Sequence, residues 1–66
     1  MLPAEVINHI GGTVQVDSPK ISGQMLFTAY ILRKKDGKKI YQAEVQNINP
    51  PHEIYIVPLD DINAIS

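Results

Sequence analysis

The tightest constraint on how this chain folds is local. Lys35-Asp36-Gly37-Lys38 sits between two runs of β-branched, aromatic and aliphatic residues. Asp-Gly accepts the positive φ angles of a tight hairpin turn, and flanked by apolar patterning it is the best short-range hairpin signal a sequence carries. A long strand over roughly 24–34 is therefore expected to turn back into a strand over about 39–47, where Tyr41, Ala43 and Val45 alternate with Gln42, Glu44 and Gln46. Two registers are open. A two-residue turn pairs Lys35 with Lys38 and places Leu26, Thr28, Tyr30 and Leu32 on the face of Tyr41, Ala43 and Val45. A three-residue turn with a glycine bulge pairs Lys34 with Lys38 and places Met25, Phe27, Ala29 and Ile31 there instead. The second buries the more continuous apolar set and is the expected one. It leaves Leu26, Tyr30 and Leu32 on the other face. A strand apolar on both sides is either shared between two sheets of a barrel or covered by another chain.

Around this hairpin the other signals are short. Val14 and Val16 alternate with Thr13, Gln15 and Asp17, and Asp17-Ser18-Pro19 ends that strand because proline cannot donate to a ladder. A loop over 17–23 follows. After Asn49-Pro50-Pro51, residues 53–57 form a further strand. Pro58 stops it, Leu59 to Ile62 read as one helical turn, and Ala64-Ile65 add a last short strand. At the front, 2–10 is expected to be a short helix. Pro3 suits a first helical position, Leu2, Val6 and Ile10 with Ile7 make its apolar face, and Gly11 suits a left-handed cap. The rival form is a strand over 5–10 turning at Gly11-Gly12 into Thr13-Val16.

At 66 residues the chain is expected to be one domain, with 1–11 as the helix and 12–66 as a small barrel. So short a chain buries only about 60% of its unfolded surface. With no cysteine there is no disulfide staple, no thiol nucleophile and no thiolate ligand. Without such a staple the chain needs an economical topology or a partner subunit. No apolar run exceeds four residues, so no membrane span is expected, and the first residues lack the basic and apolar regions of a signal peptide. The expected compartment is cytoplasmic.

Strand, loop, long strand, tight hairpin, strand, short loop, strand, helical turn, short strand is an order that resembles the SH3-like barrels. Val57-Pro58 leading into Leu59 to Ile62 is similar to the segment in which those domains pass through a single 3₁₀ turn into their last strand. The pattern also fits KOW, Tudor and other small barrels. The resemblance implies an all-β, SH3-like small barrel of about five strands. The tryptophan and aromatic-rich stretch of proline-peptide-binding members are absent. A shorter stretch, His52-Glu53-Ile54-Tyr55, resembles the Val-Gln-Ile-Tyr pore motif of type II dihydrofolate reductases, with Glu53 in place of the glutamine and Lys20 standing loosely for the family's lysine. That resemblance implies a tetrameric reductase.

Charge gives the clearest functional hint. Arg33, Lys34, Lys35, Lys38 and Lys39 are five of the six basic residues. Against Asp36 they leave 33–39 at +4. Lys20 against the other six carboxylates leaves the remainder at -5. Such a fingertip can meet phosphates, with Tyr30 or Tyr41 stacking on a base. The plain alternative is that lysines keep an exposed tip soluble and discourage edge-to-edge pairing. Catalytic chemistry has no constellation here. His9, expected on the solvent side of the helix, and His52, in a loop, do not make a metal site. Asp60-Asp61 are neighbours on a turn and suit capping or solvation. Ser18, Ser22 and Ser66 lie in no Gly-x-Ser-x-Gly context, and no phosphate-cradling loop is present. The expectation is a non-enzymatic interaction module without cofactor or metal. It would self-associate or dock on a protein through Leu26, Tyr30, Leu32, Ile54 and Tyr55, with nucleic-acid binding by the basic hairpin as the alternative and the reductase as a second alternative.

Overall fold

The computed structural model describes residues 1–65; Ser66 lies outside the described residues. A 3₁₀ turn, Pro3–Glu5, runs into helix α1, Val6–His9. Five strands follow: β1 (Thr13–Asp17), β2 (Ser22–Lys35), β3 (Lys38–Gln46), β4 (Ile54–Pro58) and, after a second 3₁₀ turn at Leu59–Asp61, β5 (Ile62–Ala64). All strand pairs are antiparallel, in the order β4-β3-β2-β1-β5. The fold is all-β with a short N-terminal helix and a C-terminal 3₁₀ turn. The expected closed barrel is not formed, because β4 and β5 are the two edges of one open sheet.

Strand β2 makes this arrangement work. Its first part, Ser22 to Leu26, pairs with β1, and its second, from Leu26 onward, pairs with β3. The core lies inside the resulting curl: Val6, Val14, Val16, Met25, Phe27, Ala43, Val45, Val57, Leu59 and Ile62, with no polar or charged residue buried among them.

The hairpin register differs from the expected one, and each of the two open registers holds along part of it. Lys35 pairs with Lys38, Lys34 with Lys39 and Tyr30 with Ala43, so the turn has two residues. Asp36 has φ 51° and Gly37 φ 77°, the positive pair that a type I′ turn requires. Between Phe27 and Ala29 the register then shifts, and Phe27 faces Val45. Thr28 is the additional residue. The bulge is in the strand rather than at the turn. Beyond it, Tyr30 and Leu32 share the inner face with Tyr41 and Ala43; before it, Phe27 and Met25 share that face with Val45. Tyr30 and Leu32 therefore do not lie on the leftover outer face. Backbone partners fix the switch: Phe27 donates to Gly12 O at 2.9 Å and accepts from Gly11 N at 2.7 Å, while the Thr28 hydroxyl donates to the Glu44 carboxylate at 2.7 Å and lies 3.1 Å from the Glu44 carbonyl. Bulges of this kind bend a strand and raise its twist.

The turn supports a direct test. A Cβ on Gly37 would touch nothing within 4 Å, so only the backbone conformation resists substitution. Gly37→Val is expected to destabilise by about 1–2 kcal/mol, the cost of a left-handed conformation for an L-residue. A urea titration followed by circular dichroism checks this, and an unchanged midpoint would contradict the type I′ assignment.

The N-terminal segment is helical, as Pro3 and Gly11 (φ 87°) suggest, and not a strand. Its apolar face is narrower than expected. Val6 alone is buried, whereas Leu2, Ile7 and Ile10 are exposed and His9, expected on the solvent side, is half-buried. The helix proper is four residues long and cannot present a full stripe. Strand β2 also starts at Ser22, so the loop expected over 17–23 ends sooner, closed by a Ser18 N to Ile21 O bond of 2.9 Å.

Candidate functional site

Among the described residues, strand β4 is bonded on one side only. The Asn47 N–H donates to Glu53 O at 2.9 Å, which fixes the phase of the ladder. In an antiparallel pair, bonded and non-bonded residue pairs alternate. Counting from Asn47 and Glu53, the bonded pairs are Val45 with Tyr55 and Ala43 with Val57. The N–H and C=O groups of Ile54 and Ile56 then point away from β3, toward the open edge. Pro58 shares this phase, so its missing N–H removes no bond to β3. The side chains of the same residues add to the edge: Ile54 is 57% exposed and Ile56 45%. Unpaired backbone and bare isoleucines together make an adhesive edge, which folded proteins usually blunt with charge.

The residues expected to form an interface do not form one surface. Leu26 and Ile54 flank Gln46 in a row on the outer face. Leu26 lines a shallow hollow of about 270 Å³ there with Gln46, Ile48 and His52. Tyr30, Leu32 and Tyr55 belong to the inner face. Tyr30 lies nearly parallel to Tyr41, with centroids 6.4 Å apart and planes at 14°, and both pack against the core. Desolvation, with Tyr41 alongside, raises the Tyr30 hydroxyl above its ordinary pKa. The Tyr55 hydroxyl donates to the Glu53 carboxylate, which, with desolvation and the Glu53 charge, raises its pKa too. Ile56 lies within the stretch 50–57 that the sequence offers as a binding segment, without being marked individually. Its signal is a two-residue period with Ile54, and it becomes meaningful only once β4 is known to be an edge.

A second cleft, about 410 Å³, lies where the loop after β1 approaches β4. It is lined by Ser18, Pro19, Lys20, Ile56, Pro58 and Asp61. In the stretch resembling the reductase motif, Ile54 points outward and Tyr55 inward, and Lys20 is exposed. Among the described residues, no three His, Asp or Glu side chains gather as a metal site, and no helix is long and apolar enough to cross a membrane. His9 is on α1 and His52 is in the β3–β4 loop, where its Nδ1 lies 3.0 Å from Asn47 O. Neither Asp60 nor Asp61 caps the second 3₁₀ turn.

The basic residues form the far end of the β2–β3 hairpin, and all five are exposed. Lys34 lies directly opposite Lys39, and Lys35 opposite Lys38. Like charges placed this way destabilise a strand pair. No family model, curated protein or solved structure matches the chain.

Proposed function

We propose that this chain is a non-enzymatic interaction module, built as a small SH3-like sheet, that self-associates through the free edge of β4. The observation carrying this reading is the coincidence, at Ile54 and Ile56, of unpaired backbone groups with exposed apolar side chains. Self-pairing about a twofold axis has one favourable register. With Tyr55 on the axis, Ile54 of one copy lies opposite Ile56 of the other, and both residues have their backbone groups facing the partner. Moving the pairing so that Ile56 meets its own mate would bring Pro58 opposite Ile54, where it has no N–H to donate. In the favoured register the isoleucines of both copies meet on the outer face, and the only charged side chain in 53–58 is Glu53. So short a ladder buries less than the roughly 1,200 Å² of a standard stable interface, so the association is concentration-dependent. A binding role rather than a catalytic one is supported by the separation of His9 on α1, His52 in the β3–β4 loop and Asp60 and Asp61 on the second 3₁₀ turn.

Size-exclusion chromatography with light scattering, over a range of concentrations, tests the proposal. The wild type is expected to shift from monomer toward dimer. Ile54→Lys with Ile56→Lys, which places charge on the edge without touching the core, is expected to weaken association by about tenfold or more while the circular dichroism stays unchanged. A wild type that stays monomeric at the highest concentration overturns the reading.

A further inference from the structure

We infer that the end of the β2–β3 hairpin is an arm that enters the major groove of double-stranded DNA and grips the phosphates on both sides. This stands apart from self-association, because it uses other residues and another part of the sheet.

The arm is set off from the body. Strand β1 leaves β2 at Leu26, and β4 meets β3 no further along than Gln42. Beyond those points, Leu32 to Lys35 and Lys38 to Tyr41 pair only with each other. At the usual rise this two-stranded ribbon projects about 13 Å. A B-form major groove is about 12 Å wide and 8.5 Å deep and admits a two-stranded ribbon. The turn at its end, Asp36-Gly37, is narrow.

The cations lie on both faces of the arm. Lys34 and Lys39 share the inner face with Leu32 and Tyr41. Arg33, Lys35 and Lys38 share the outer face with Ile31 and Ile40. This two-sidedness selects the ligand. A flat anionic surface, whether a lipid bilayer or an acidic protein, would meet one face and leave the cations of the other unanswered. A groove has a phosphate wall on each side. The major groove of A-form RNA is too deep and narrow for such an arm. The opposed pairs, Lys34 with Lys39 and Lys35 with Lys38, weaken the free hairpin, and phosphates would relieve that repulsion. With the rest of the chain at -5, the body is repelled by DNA and the arm leads. Lysine contacts to phosphate carry no sequence information, so binding is general; Arg33 alone has the planar fork that can read a guanine edge.

Fluorescence anisotropy with a short labelled DNA duplex tests this. Binding is expected at low salt, falling as log K against log salt with a slope of about -3 to -5, from about 0.9 per neutralised phosphate. The deciding variant is Lys34→Glu with Lys35→Glu. It sets opposite charges across both strand pairs, so its melting temperature is expected to hold or rise by a few degrees while DNA affinity falls by more than about tenfold. Lys38→Glu with Lys39→Glu makes the same change from the other strand and is expected to behave alike. The Ile54→Lys, Ile56→Lys variant is expected still to bind the duplex, which separates this inference from self-association. No binding at low salt, variants that bind like the wild type, or equal binding to an RNA duplex or to phosphatidylserine vesicles would each overturn it.

Discussion

Phe27→Ala is expected to leave the chain largely unfolded at room temperature. Phe27 is fully buried at the point where the elements converge. Its backbone bonds to Gly11 and Gly12 on one side, and its partner across the ladder on the other is Val45. Truncating a buried phenylalanine costs about 3–5 kcal/mol. A chain of this length has a total stability of roughly 3–10 kcal/mol, at 0.05–0.15 kcal/mol per residue. The loss is therefore comparable with the whole. Phe27→Leu, which keeps most of the volume, is expected to cost less than about 1.5 kcal/mol and to stay folded. Thermal melts by far-UV circular dichroism compare the two, and a wild-type melt for Phe27→Ala would show that the core is not centred on this ring.

Leu59→Ala is expected to act by another route. Leu59 is 2% exposed and stands in the 3₁₀ turn that carries the chain from β4 into β5. Its carbonyl and that of Ile62 accept the Met1 amino group at 3.0 and 2.7 Å. Strand β5 is held by only three residue pairs with β1, from Val14–Ala64 to Val16–Ile62. Losing the Leu59 side chain costs about 2–5 kcal/mol and removes the anchor of this short strand. Amide hydrogen exchange should report early loss of protection at 62–64, ahead of the β2–β3 ladder. Uniform loss across all strands would mean that β5 and the hairpin open as one unit.

Local features of the fold could be read from the residues. Asp36-Gly37 declares its turn, Val14 and Val16 declare β1, and Ala43 and Val45 declare the buried face of β3, because each depends on conformation or alternation within a few positions. What could not be read is where β2 changes partner. Met25-Leu26-Phe27-Thr28-Ala29-Tyr30-Ile31-Leu32 is apolar at nearly every position, so alternation does not choose a face. The choice is made by distant groups: Gly11 and Gly12 on one side of Phe27, Glu44 beside Thr28. Each register considered from sequence describes one half of the hairpin. The candidate interface was limited in the same way. Ile54 is visibly apolar, but that its backbone is free follows only from β4 lying at the end of the sheet order. That Leu26 and Tyr30 face opposite ways follows only from the bulge. Lysines oppose each other in either register, but that Lys34 meets Lys39 and Lys35 meets Lys38 follows only from the two-residue turn.

The additional residue in β2 separates two properties that are usually tied together. Phe27 faces in, Ala29 out and Tyr30 in, so the inside-outside rhythm is kept only when Thr28 is left uncounted. The rhythm governs what is hidden from water; Thr28 governs how far the ribbon arches. Two chains differing by that residue alone would give every other residue the same face and still have different silhouettes, because the extra residue sets the bend and not the burial.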